Sequence, residues 1–330
     1  MTGQQTDVSD PPTVAITGAA GFIGSRVLQQ VQEVHPDWDL IALDNQYRGQ
    51  VESVGDVDIV HVDIRNRRRL ERALDGADVV LHLAAISGVD DCDENCDLAY
   101  EVNVTGTNNV AWFCRQTGAA LAFPFSMAVL GDPETFPITA ELPRDPFNWY
   151  GRTKLLGERA IETFADGSFP AHLFLKSNLY GDHVVDGTVV SKPTVINFFV
   201  DRAVDGEPLT VYEPGTQSRN FVHVKDVATA YVRSAERLLQ QLSNGETGTE
   251  TYEIAGNEDP SVMAVAETVR ALARDELGVS VDVKLVENPR SGETMVEDFA
   301  VDTSTAEEQL QWTVTQTIND SVRDLLRRHA

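Results

Sequence analysis

Lysine is nearly absent. Lys154, Lys176, Lys192, Lys225 and Lys284 are the only five in 330 residues. Aspartate and glutamate outnumber lysine and arginine 52 to 26, leaving a formal net charge of −26. So acidic a surface repels nucleic acid and anionic membranes, and neither is an expected partner. It also strains the fold by self-repulsion. At molar salt the screening length falls to about 3 Å and much of that strain is relieved. Scarce lysine beside abundant acid points to a halophilic protein in a salty cytoplasm. A merely acidic protein is the plainer alternative.

Cysteine is equally scarce. Cys92, Cys96 and Cys114 are too few for a disulfide framework. Cys92 and Cys96 have no second pair and no nearby histidine, so no metal is expected. They read as ordinary helix residues in a reducing cytoplasm. No apolar run approaches the roughly 18 residues of a membrane helix. Residues 1–12 are polar, lack the charged-then-apolar pattern of a signal peptide, and read as a short flexible tail.

What is present is alternation. "TVAITG", "DLIALD", "VDIVHVD", "DVVLHLAA", "AALAFPFS" and "AHLFLKSNL" are strand candidates separated by helical stretches. Several are near-continuous apolar runs, as a parallel sheet covered on both faces requires. The pattern predicts βαβ units and a doubly wound α/β sheet. After about residue 180 the rhythm loosens into short strands and helices, with "SNGETGTE" as a surface loop.

The first strand runs into a turn with Gly18, Gly21 and Gly24 at three-residue spacing, then a helix. Gly18 permits the tight turn, Gly21 leaves room for a pyrophosphate, and Gly24 lets helix and strand pack closely. The helix N-terminus offers free N–H groups to phosphate oxygens. The second strand ends about twenty residues later at Asp44. A carboxylate there accepts from ribose hydroxyls and repels a 2′-phosphate, so NAD is expected rather than NADP. Further on, "NWYGRTK" sets Tyr150 and Lys154 four apart, on one helix face. An ammonium and a positively charged nicotinamide beside the phenol are together expected to lower its pKa towards that of a working base.

The G-x-x-G-x-x-G spacing, "LDN" and "LHLAA" together resemble the extended short-chain dehydrogenase/reductase family, and within it the NAD-dependent epimerase/dehydratases. The resemblance runs from about residue 13 to 325, with "HVDIRN", "NVTGTNNV", "YGRTK", "SNLYG", "RNFVHVKDVATA", "NPRSGE" and "DTSTAEEQLQW" in the family's order. It implies a Rossmann fold with a smaller α+β C-terminal substrate lobe. The tail would be 1–12 and the NAD-binding domain 13–180, with 221–256 returning to it. The nucleotide-sugar lobe would be 181–220 and 257–330. Cofactor contacts would come from Gly18, Gly21, Phe22, Ile23, Gly24, Asp44, Asn45, Asp63, Ile64, Leu83, Ala84, Ala85, Asn103, Tyr150 and Lys154. Ser126 would complete a catalytic triad with Tyr150 and Lys154.

The resemblance also implies a clamp for a nucleotide diphosphate from Asn178, Arg219 and Arg290, and a homodimer. Guanidinium groups suit phosphate oxygens. Departures are informative. Met127 and Ala128 follow Ser126 where the family's dehydratases carry Asp-Glu and its decarboxylases usually carry Glu. Neither residue transfers protons, so both chemistries lose ground. Leu130 replaces a usual Tyr, Pro124 lies within the strand, and Lys176 stands where arginine is frequent. The expected activity is C4 epimerisation of a nucleotide-diphosphate sugar. A nucleotide-sugar dehydrogenase or 4-ketoreductase with the same triad is the alternative, and a non-catalytic dinucleotide sensor a weaker one.

Overall fold

The alternation of the first 180 residues is regular in a computed structural model, which describes residues 11–289 and 295–328. β1 (Thr13–Thr17) leads through the glycine turn into α1 (Phe22–Val34). β2 (Asp39–Asp44), a two-residue β3 (Ser53–Val54), β4 (Val57–His61), α2 (Arg67–Ala73) and β5 (Val79–His82) follow. Then come α3 (Val89–Glu94), α4 (Cys96–Tyr100), a π-helical turn at Glu101–Gly106, α5 (Thr107–Thr117) and β6 (Ala120–Ser126). α6 (Trp149–Ala165) and β7 (Pro170–Lys176) close this half. The remainder carries β8 (Asn178–Tyr180), β9 (His183–Val185), β10 (Thr188–Val190), α7 (Val195–Val204), β11 (Leu209–Tyr212) and β12 (Phe221–His223). α8 (Val224–Asn244), β13 (Gly248–Ile254), α9 (Val262–Leu277), β14 (Val283–Val286), α10 (Ser304–Leu310) and α11 (Ile318–Arg327) complete it.

Eight strands form one sheet in the order β13-β7-β6-β5-β1-β2-β4-β3. All its pairs are parallel except β3 with β4. β5 is buried along its whole length, and β6 and β7 are buried up to their last residue. Their apolar runs are continuous because helices cover both faces. One face packs Phe113, Phe123, Phe125 and Ile161; the other packs Val27, Leu28, Tyr231 and Leu238. The strand order reverses at β1, which lies between β2 and β5. In open α/β sheets such a switch point leaves a crevice at the carboxyl ends of the strands.

A third core gathers residues of α7, α9 and α11, with Tyr180 and Phe221. The parallel pairs β8–β12 and β11–β14 sit in this C-terminal part. The end of the chain divides between cores. Ala306, Leu310 and Trp312 pack with Tyr231 and Leu238 against the sheet. Phe299 packs on the opposite face. The resemblance placed all of 257–330 in the lobe. Trp312 also donates its indole N–H to the Asp226 carbonyl at 2.8 Å. Periodicity tells which side of a helix is apolar, not which core receives it. The expected loop at 243–250 is shorter than its composition suggests. α8 runs to Asn244, Gly245 ends it in the left-handed region, and β13 starts at Gly248.

Candidate active site

The carboxyl ends of β1, β2, β5, β6 and β7 open onto a cleft of about 1070 Å³, closed on its far side by residues of the C-terminal part. Gly18, Gly21, Phe22, Ile23 and Gly24 form its floor. Gly18 has φ +74°, and a Cβ there would stand 2.6 Å from the Ala84 amide. A Cβ on Gly24 would overlap the Gly18 carbonyl. At Gly21 a side chain would meet protein only at 3.4 Å, so its bareness faces the cleft. Gly21 caps α1 without a side-chain bond, and the first turn of α1 carries no acid. The amides there remain available to an anion.

Asp44 ends β2 beside this floor. Its carboxylate accepts from the amides of Ala20 at 3.1 Å and Gln46 at 2.7 Å. Burial pushes the carboxyl above its ordinary pKa, against the pull of these amides. Each oxygen keeps a lone pair for a ribose hydroxyl. Asn45, Leu83, Ala84, Ala85 and Ile64 also line the cleft. These features accept NAD: a bare turn at a helix N-terminus, and a buried carboxylate where a 2′-phosphate would sit.

Two expected contacts lie elsewhere. Asn103 is buried in the π-helical turn, away from the cleft lining. Its amide accepts from Ile86 N at 2.8 Å and donates to Ile86 O and Thr153 Oγ1. It ties the loop after β5 to α6. Asp63 is also outside the lining. Arg65 holds its carboxyl below the ordinary range, and it is Arg65 that faces the cleft.

Ser126, Tyr150 and Lys154 all line the cleft. Ser126 ends β6, and α6 carries Tyr150 and Lys154 on its inward face. Asn148 caps α6 by accepting from the Gly151 amide at 2.9 Å. Ser126 hydrogen-bonds the Tyr150 phenol. Lys154 is 4% exposed; its amine donates to the Pro124 carbonyl at 3.0 Å and sits 4.6 Å from the Phe123 ring centre. In the protein alone Lys154 does not acidify the phenol. Burial pushes Tyr150 up to about 12, the Ser126 bond pulls down, and the Cys92 thiol adds to the rise. Burial draws Lys154 down to about 8. Both groups lose hydration together, and the lysine is turned to a carbonyl rather than to the phenol.

On the far wall, Asn178 and Arg219 line the cleft. Asn178 donates to the Asn220 carbonyl, and Arg219 to the Ser218 carbonyl at 2.8 Å. Arg290 lies outside the described residues. Met127 and Ala128 line the cleft next to Ser126, so no carboxylate stands in that place. Sequence reasoning passed over Arg48, Arg65 and Lys192, which also line it. The available signal was rarity, since three of five lysines meet in one cleft.

Fold and cleft together define a dinucleotide-dependent enzyme with a Ser-Tyr-Lys centre. The sequence model of the NAD dependent epimerase/dehydratase family matches residues 14–255, and the chain belongs to that family. Its cofactor is NAD. The chain is 29% identical over 268 residues to UDP-N-acetyl-alpha-D-glucosaminuronate decarboxylase of Bacillus cytotoxicus, covering 78% of this chain and 79% of that one. It is 24% identical over 336 residues to UDP-glucose 4-epimerase of Dictyostelium discoideum, covering 94% of each. A solved structure of MoeE5 with UDP-glucuronic acid and NAD superposes with TM-score 0.79 at 25% identity, covering 96% of this chain and all of that one. Among the described residues no helix is long and apolar enough to cross a membrane.

Proposed function

We propose that the protein epimerises a nucleotide-diphosphate sugar at C4, as UDP-glucose 4-epimerases do, through a transient 4-keto sugar. The observation that carries this reading is a Ser126–Tyr150–Lys154 centre whose neighbours Met127 and Ala128 cannot exchange protons. Bound NAD supplies the hydride acceptor and donor, and its positive ring favours the phenolate. Tyr150 takes the proton from the C4 hydroxyl and later returns it. Ser126 donates a hydrogen bond to the same oxygen. Lys154 holds the cofactor ribose and adds positive charge. Asn178, Arg219 and Arg290 hold the diphosphate while the sugar turns its other face to the cofactor.

Elimination of water needs an added acid–base pair, and Met127-Ala128 supplies none. The same absence weighs against the decarboxylation performed by the Bacillus relative. The test is a panel of nucleotide sugars with catalytic NAD at high salt. The C4 epimer is expected, without accumulation of NADH. Stoichiometric NADH release would make the protein a dehydrogenase instead.

A further inference from the structure

Charge in the cleft is inverted relative to the chain. Among the described residues Arg48, Arg65, Lys154, Lys176, Lys192 and Arg219 line it, against two acids, Asp44 and Asp91. Four of the six cations have occupations. Arg65 is bound to Asp63 and Glu101, and Arg48 to Asp91. Lys154 belongs to the triad, and Arg219 to the diphosphate end under the proposed function. Lys176 and Lys192 are left over. Neither makes an ion pair at 4.0 Å or less among the described residues.

Their positions are specific. Lys176 ends β7 in register with Ser126 at the end of β6. Registered residues of adjacent strands point to the same face about 4.8 Å apart. The Lys176 side chain therefore leaves the sheet one strand beyond the serine that holds the reacting oxygen. Among the described residues its amine donates to the neighbouring Ser177 carbonyl, at 3.3 Å. Lys192, in the segment after β10, lines the same cleft and is held by the Ser87 hydroxyl at 2.7 Å and the Ser87 carbonyl at 3.2 Å. Burial, with the charges of Lys192 and Lys154 added to it, draws the Lys176 ammonium down to about 7. Ser177 Oγ and Thr194 Oγ1, both on residues of the cleft lining, are buried without a hydrogen-bond partner.

We propose that Lys176 and Lys192 form a carboxylate-binding subsite for C6 of the sugar, so that the preferred substrate is a nucleotide-activated hexuronate rather than a neutral hexose. This rests on the nucleotide-sugar reading above. C6 is carried on C5, next to the reacting C4, and Lys176 stands one strand from the group that binds the C4 oxygen. An anion between the two ammonium groups relieves their repulsion, and a lysine–carboxylate bond is of the strong, charge-assisted kind. The two orphan hydroxyls can donate to the remaining carboxylate lone pairs. A neutral hexose brings no counter-charge to this pair, of which Lys192 already feels the nearby Asp91.

The experiment measures binding and turnover of UDP-glucuronate and UDP-glucose with the NAD-loaded protein. Titration calorimetry should give a preference of about tenfold or more for the uronate. Lys176→Met should remove most of that preference, Lys176→Arg should keep much of it, and Lys192→Gln should reduce it. Retained NAD in each variant shows that the cofactor site is intact. Equal affinity for the two sugars in the wild type, or an unchanged preference in Lys176→Met, overturns the inference. Absence of turnover with either sugar would instead overturn the proposed function, and the affinity ratio would still decide whether the subsite exists.

Discussion

Burial works against the charged forms of both Tyr150 and Lys154, and that sets up two measurable effects. Tyr150→Phe keeps the packing but removes the proton acceptor. Turnover should fall by about 10²-fold or more with bound NAD unchanged, the scale of a positioned acid–base group. Near-normal turnover would remove Tyr150 from the chemistry. Lys154→Met should abolish turnover and yet raise the melting temperature of the cofactor-free protein. The folded-state pKa of Lys154 is lowered to about 8. A lowered lysine pKa means that the folded protein carries the charge at a penalty below pH 8. The penalty fades as pH rises from about 8 towards the unfolded value. The gain from Lys154→Met should thus be of order 1–3 kcal/mol at pH 7 and vanish near pH 10. Thermal melts across that range check it. At this scale the sequence was legible where residues adjoin along one helix or turn, as with Tyr150, Lys154, Gly18 and Gly24. It was silent where the partner is distant. Lys192 meets Ser87 across more than a hundred residues, and no local pattern announces that meeting.

The turn before α1 is the element on which the cofactor site depends. A Cβ at residue 24 would overlap the Gly18 carbonyl oxygen and lie 2.7 Å from its carbon and 2.9 Å from Ala19 Cα. All three atoms are backbone, so α1 must withdraw as a body. Gly24→Ala should cost about 1–3 kcal/mol, as overpacking does, and should reduce NAD retention. Denaturant unfolding and cofactor absorbance of the purified variant read both. An alanine variant that keeps its NAD would mean that the helix withdraws without disturbing the phosphate end. The large strands were legible because each is a buried apolar run between turn residues. α10 and Trp312 were not. Their apolar face is visible in sequence, but their attachment to α8 depends on the Asp226 carbonyl and on space beside β13.

The whole molecule carries a net charge of −26, and most of its ion pairs are at the surface. Such pairs are individually weak, while the excess of like charge acts over the whole surface. Raising KCl from dilute buffer to molar concentration should raise the melting temperature by several degrees, as screening removes repulsion faster than it weakens pairs. A flat or falling curve would favour the merely acidic protein. The order of the sheet has a consequence for synthesis as well. β7 is buried along nearly its whole length, between β6 and β13. β13 is translated about seventy residues after β7. At about 5–20 residues per second, a ribosome leaves β7 as a bare apolar edge for roughly 4–14 s. During that interval the nascent chain presents an open hydrogen-bonding ladder to its neighbours on the same polysome. Slower decoding between Lys176 and Gly248 should therefore lower the yield of soluble protein, and faster decoding should raise it.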